Sequence, residues 1–164
     1  MFKKLFKHEK NETVYAHATG RFVSLKEVPD PVFNQKMMGE GIAVQPVDGH
    51  VVAPADGEII QIAETKHAFG LRTELGEEIL VHIGLETVAL KGEGFQVKVA
   101  LGDKVKRGQI IIEADLPYIE QHASSTVIPM VVTNSGDGQF EFDWQINTDV
   151  KAGETPLFIA RTRK

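Results

Sequence analysis

The stretch Val51-Val52-Ala53-Pro54-Ala55-Asp56-Gly57-Glu58-Ile59-Ile60 decides the fold class. A short apolar run stops at a proline, an Asp-Gly pair turns the chain, and a second apolar run follows at once. Runs this brief, bounded by turn residues, read as strands. Outward from this stretch the same pattern recurs at 20–25, 41–45, 79–83, 109–114, 127–133, 140–145 and 157–161. No long stretch of helical period competes, although Pro117–Ser124 has the make-up of a short helical turn. An internal echo adds to the picture: Asp103-Lys104-Val105-Lys106-Arg107-Gly108-Gln109 resembles Thr148-Asp149-Val150-Lys151-Ala152-Gly153-Glu154. Two copies do not make a solenoid. The expected fold is all-β, an antiparallel β-sandwich or barrel with internal duplication, in a single domain.

Bulk properties bound the function. A chain of 164 residues with 42% hydrophobic content can bury one good core. Its net charge of −5 leaves no electrostatic footprint for nucleic acid. The absence of cysteine excludes thiol catalysis, disulfides and cysteine-ligated zinc. No apolar run approaches the roughly 18 residues of a membrane span, and the amino terminus lacks the apolar core of a secretory signal. A cytoplasmic domain is therefore expected. Residues 1–14 read as a flexible basic tail ahead of a domain over 15–164. Within residues 1–12, Phe2, Leu5 and Phe6 share one helical face and Lys3, Lys4 and Lys7 the other, a pattern suited to weak contact with anionic lipid.

Two histidines form the candidate site. His82 lies in Glu78-Ile79-Leu80-Val81-His82-Ile83-Gly84, and His67 in Thr65-Lys66-His67-Ala68-Phe69-Gly70. Residues 67–73 and 78–83 read as the arms of one hairpin, with Gly76 as the turn residue. Pairing Thr73 with Glu78 sets Phe69 opposite His82 and His67 one diagonal away, about 7–8 Å. Pairing Thr73 with Gly76 sets the histidines directly opposite at about 5 Å. The odd slip between these registers sends them to opposite faces. Imidazole serves at neutral pH as nucleophile, proton donor or metal ligand, so all three roles stay open at this point. His8, His17, His50 and His122 lack such a setting and read as surface or structural residues.

The string Leu80-Val81-His82-Ile83-Gly84-Leu85-Glu86-Thr87-Val88-Ala89-Leu90-Lys91-Gly92-Glu93-Gly94-Phe95 closely resembles the active-site signature of glucose-family EIIA proteins. These are phosphocarriers of the bacterial phosphoenolpyruvate-dependent sugar phosphotransferase system. The resemblance extends in order through Val28–Phe33, Gly39–Ala43, Val52–Gly57, Thr65–Phe69 and Gly153–Pro156. It implies that His82 is phosphorylated, that His67 contacts the phosphate, and that Thr65 belongs to the same network. It implies HPr as donor, the EIIB domain of a glucose-type sugar permease as acceptor, and regulatory target proteins as further partners. Val32, Phe33, Met37, Met38 and Phe69 are expected to rim the histidines as an apolar docking surface. Glu86, which stands where the family usually has aspartate, keeps the charge on a longer arm and is counted with them. No cofactor is required; the resemblance also suggests a zinc held by His67 and His82 when a partner adds a carboxylate.

The chemistry suits imidazole. One ring nitrogen must stay protonated and tied to an acceptor so that the other presents its lone pair. The expected arrangement is His82 Nδ1–H on a backbone carbonyl near Gly84, with Nε2 as the phosphoryl acceptor and the second imidazole offsetting charge. Two other readings compete. A zinc hydrolase on a related fold needs three protein ligands, whereas the position two after His82 is Gly84. A biotinyl or lipoyl carrier needs a lysine at a hairpin tip, and Lys36-Met37-Met38 has the composition in the wrong order.

Overall fold

The computed structural model describes residues 10–163. The strands are β1 (Asn11–Tyr15), β2 (Gly20–Ser24), β3 (Glu40–Pro46), β4 (His50–Val52), β5 (Gly57–Ile62), β6 (Ala68–Thr73) and β7 (Glu78–His82). They continue as β8 (Phe95–Val97), β9 (Lys104–Val105), β10 (Ile110–Ala114), β11 (Ile128–Val132), β12 (Phe140–Trp144), β13 (Asp149–Val150) and β14 (Pro156–Thr162). Two short helices, α1 (Pro31–Asn34) and α2 (Leu116–His122), interrupt them. Among the described residues, an eight-stranded sheet runs β13-β2-β3-β11-β7-β6-β5-β9, beside two three-stranded sheets, β1-β14-β12 and β4-β10-β8. Every strand pair is antiparallel. The expected β-sandwich is the fold of this chain.

Alternation builds the core. On β7, Ile79 and Val81 point into the main core with Phe69, Leu71, Met130 and Phe158, all essentially inaccessible. Leu80 points the other way, toward a smaller cluster of Val23, Leu25, Phe33, Leu85, Val127 and Val131. Through Phe33 that second cluster packs against His82.

The duplication is a pseudo-two-fold. Reading the large sheet from its centre outward, β11 matches β7, β3 matches β6, β2 matches β5 and β13 matches β9. The echoed segments thus form the sheet's two edges. A second echo leads into each half: Ala16-His17-Ala18-Thr19-Gly20 corresponds to Ala53-Pro54-Ala55-Asp56-Gly57. The Gly153 N–H donates to the Ala16 carbonyl at 2.8 Å, and the Gly108 N–H to the Ala53 carbonyl at 2.9 Å. Thr19 Oγ1 accepts from the Ala152 N–H at 3.0 Å, and Asp56 Oδ1 from the Arg107 N–H at 2.8 Å.

Two expectations need correction. The tail was expected to reach residue 14, but Asn11–Tyr15 is a strand paired along β14. Val14 is fully buried there, and its side chain anchors the strand. The basic amphipathic pattern of residues 1–12 otherwise falls on residues 1–9, outside the described residues. Among the described residues, no helix is long and apolar enough to cross a membrane. The hairpin register is the second correction. Ala68 pairs with His82 and Arg72 with Glu78, which is the intermediate slip, not either register that was expected to unite the histidines.

Candidate functional site

The histidines meet in spite of that register. Their ring centroids lie 4.8 Å apart with the planes at 80°. The reason is that His67 is not in the strand. It sits in the bend between β5 and β6, where the Lys66 N–H closes on the Ala63 carbonyl at 2.8 Å and Lys66 is left-handed with φ of +66°. Strand alternation therefore stops at Ala68, and the bend turns the His67 ring toward β7. The His67 carbonyl still accepts from the Ile83 N–H at 2.7 Å, which ties the bend to the end of β7.

His82 is oriented by its own backbone. Nδ1 lies 2.8 Å from the Gly84 carbonyl. A carbonyl only accepts, so Nδ1 carries the proton and Nε2 holds a free lone pair. Gly84 makes this possible with φ of +78°. A Cβ there would sit 2.6 Å from Thr87 Cγ2 and 2.8 Å from the Ser125 carbonyl oxygen, so only glycine fits. The buried Thr87 hydroxyl donates to the Ile83 carbonyl at 2.7 Å and braces the same turn. His67 Nδ1 is 2.8 Å from Thr65 Oγ1, which leaves its Nε2 uncommitted as well.

The surroundings keep both rings neutral. Burial, and then the neighbouring His67, lower the pKa of His82 to about 4, against the Gly84 carbonyl and Asp30, which act in the opposite direction. Burial lowers His67 too. Two neutral imidazoles are thus in contact, each with its Nε2 uncommitted. Phe33 closes one side, its ring centroid 5.2 Å from that of His82, and Phe95 lies 6.5 Å from His67. Phe33 is held by α1, which Asp30 caps by accepting the Val32 N–H at 2.9 Å, with Pro31 in the first helical position.

Comparison with known proteins gives this geometry a family. Residues 12–138 match the family model described as phosphoenolpyruvate-dependent sugar phosphotransferase system, EIIA 1. The chain belongs to this EIIA family. It is 52% identical to the PTS system glucose-specific EIIA component of Halalkalibacterium halodurans, over 99% of each chain. It is 50% identical to the component of the same name from Staphylococcus epidermidis, over 96% of each. Its fold matches the solved glucose permease IIA from Mycoplasma capricolum with a TM-score of 0.82 and 35% identity, covering 92% of this chain and 96% of that one. As an EIIA, it is a component of the sugar phosphotransferase system, and this family assignment displaces the zinc-hydrolase and biotinyl or lipoyl readings.

Part of the expected rim is exposed. Val32 and Met38 are 40% and 37% exposed, Met37 is 68% exposed, and Glu86 is exposed in a left-handed conformation. Phe69 must be withdrawn from it. Its partner across the hairpin is Val81, and the intermediate register sends both side chains into the main core, where Phe69 is fully buried. Phe33 is 4% exposed, so it packs beneath the rim against His82 and the second cluster. Among the described residues, no three His, Cys, Asp or Glu side chains converge as metal ligands. Of the other histidines, His17 is buried, while His50 and His122 are exposed. His8 lies outside the described residues.

Asp30, Thr87 and Phe95 were not anticipated as parts of the site. The Asp-Pro start of a helical turn was the available signal for Asp30. Thr87 and Phe95 lie inside the quoted signature; the Thr87 bond to the Ile83 carbonyl is local to the turn, whereas the approach of Phe95 to His67 depends on tertiary packing.

Proposed function

We propose that this EIIA accepts a phosphoryl group from phospho-HPr on His82 Nε2 and passes it to the EIIB domain of a glucose-type sugar permease. The observation that carries this reading is the 2.8 Å contact of His82 Nδ1 with the Gly84 carbonyl, beside a second imidazole 4.8 Å away. Nε2 attacks the phosphorus of phospho-HPr, a phosphorus–nitrogen bond forms, and the donor imidazole leaves. The Thr65 hydroxyl donates to His67 Nδ1, so that His67 carries its proton on Nε2 and offers it to a phosphoryl oxygen. Charge develops on those oxygens in the transition state, and a preorganised donor in a dry site stabilises it. In onward transfer the phosphorus–nitrogen bond breaks as the EIIB nucleophile attacks, and His67 takes up the proton that this nucleophile sheds.

The names of the relatives favour glucose as the sugar served, and a cytoplasmic location follows from a donor of this kind. Val32, Met37, Met38 and Glu86 form the docking surface for HPr, EIIB and regulatory targets. Residues 1–9 add at most a weak, salt-sensitive contact with anionic membrane.

The test is incubation with phosphoenolpyruvate, Enzyme I and HPr, followed by mapping of the acid-labile phosphate. Phosphate on His82, lost in a folded His82→Ala variant, is the expected result. Phosphate on any other residue overturns the assignment.

A further inference from the structure

The chain has no cysteine and four methionines. Met130 is 1% exposed in the middle of the large sheet. Met37 and Met38, by contrast, are 68% and 37% exposed and adjacent. They occupy the turn that follows α1, the element that lays Phe33 against His82. The turn is tied to α1 by the Met37 N–H donating to the Val32 carbonyl at 3.1 Å. Lys36 enters it left-handed, with φ of +58°. Lys36 Nζ and Glu40 Oε1, which flank the two methionines in sequence, pair at 3.3 Å.

A thioether is the most readily oxidised group in a chain without thiols. We infer that Met37 and Met38 form an oxidation site through which hydrogen peroxide controls docking at the histidine face. This rests on the phosphocarrier reading above. The step balances simply. A sulfur lone pair attacks one peroxide oxygen, a sulfur–oxygen bond forms as the oxygen–oxygen bond breaks, and the departing hydroxide takes a proton to leave as water. Sulfur loses two electrons and the peroxide gains them. The product is a polar, chiral sulfoxide in place of a flexible apolar side chain. On the free protein the sulfoxide oxygen is hydrated without penalty. Under a docked partner it must shed that water against the apolar surface of Val32 and its neighbours, which weakens the complex. The chemistry of His82 itself is untouched, so the effect falls on encounter and not on the phosphoryl step. Reduction of the sulfoxide by methionine sulfoxide reductase makes the change reversible.

The experiment treats the full chain with hydrogen peroxide, locates added oxygen by peptide mass mapping, and measures the second-order rate constant for transfer from phospho-HPr. Oxygen is expected on Met37 and Met38 and not on Met130, with the rate constant falling about five- to tenfold. Methionine sulfoxide reductase should restore the rate. A Met37→Leu, Met38→Leu double variant, compared with itself before and after peroxide, should show no fall. An undiminished rate in protein carrying both sulfoxides overturns the inference. So does an equal fall in the double variant, a loss that the reductase does not reverse, or failure of peroxide to reach these two sulfurs. Untreated protein that takes no phosphate from phospho-HPr would instead overturn the phosphocarrier reading.

Discussion

For His82, one hydrogen bond and burial set the state of the ring. Nδ1 is committed to the Gly84 carbonyl, and burial holds the pKa near 4, so the ring is neutral at pH 7 with its Nε2 lone pair free. His67 differs, because its Nδ1 meets a hydroxyl that can donate or accept. If His67 acts as donor and charge partner, then His67→Gln keeps a donor but removes the ability to carry a proton. Acceptance from phospho-HPr should survive, while onward transfer to EIIB slows about 10²-fold. Rapid-quench measurement of each half-reaction separates the two. Equal rates in wild type and variant would reduce His67 to a packing residue.

The bend between β5 and β6 is the element that brings the two rings together. It depends on a left-handed Lys66, a conformation that costs a non-glycine residue about 1–2 kcal/mol. Lys66→Gly should relieve that strain and raise stability by about 0.5–1 kcal/mol in urea denaturation, with the His67–His82 contact intact. Lys66→Val should lower it and loosen His67. At the sheet edges, the two echoed turns meet at their glycines. A Cβ on Gly153 would lie 2.9 Å from the Gly108 Cα, whereas a Cβ on Gly108 meets only the Gly153 Cα, at 4.0 Å. Both residues have positive φ. Gly108→Ala should therefore cost about 1 kcal/mol from backbone strain alone, and Gly153→Ala about 2–4 kcal/mol because the neighbouring backbone must move. Similar losses at the two positions would contradict this asymmetry.

Across the whole molecule, buried titratable groups shape stability against pH. His17 is fully buried, with Nε2 donating to the Ile128 carbonyl at 2.8 Å and Nδ1 without a partner among the described residues, and burial lowers its pKa to about 4. Glu77, buried at the far end of the hairpin, accepts from the Thr73 hydroxyl at 2.7 Å. Burial and the neighbouring Glu12 raise its pKa to about 8. Between pH 4 and 6.5 the unfolded chain binds more protons at His17 and His82, and the lowered His67 acts in the same direction, so stability rises with pH. From pH 4.5 to 8 the folded chain binds more at Glu77, so stability falls. The imidazoles outnumber the carboxyl below pH 6.5 and drop out above it, which places the maximum near 6.5 for these groups. Glu77→Gln keeps a partner for Thr73 and Glu12 and removes the titration. Thermal melts should show a fall from pH 6.5 to 8 in wild type that flattens in Glu77→Gln. A wild-type curve still rising through that window would show that Glu77 ionises normally.

The period-two runs and their turn residues were enough to identify a β-sandwich, because alternation of Ile79, Val81 and their like leaves few other ways to bury one face. The same signal failed for β9 and β13, whose two residues are too few to show a period, and for β1, masked by the polar residues around Val14. His82 with Gly84 was legible because a tight turn of that kind is local in the chain. Which residues face His82 was not. The hairpin took the register that alternation alone reads as separating the histidines, and Phe69 went to the core as a result. His67 reached the site only because a left-handed residue ends the alternation one position earlier. Local chemistry is written in neighbouring residues. Register and the direction of a bend are settled by the packing of the whole sheet, which no short segment contains.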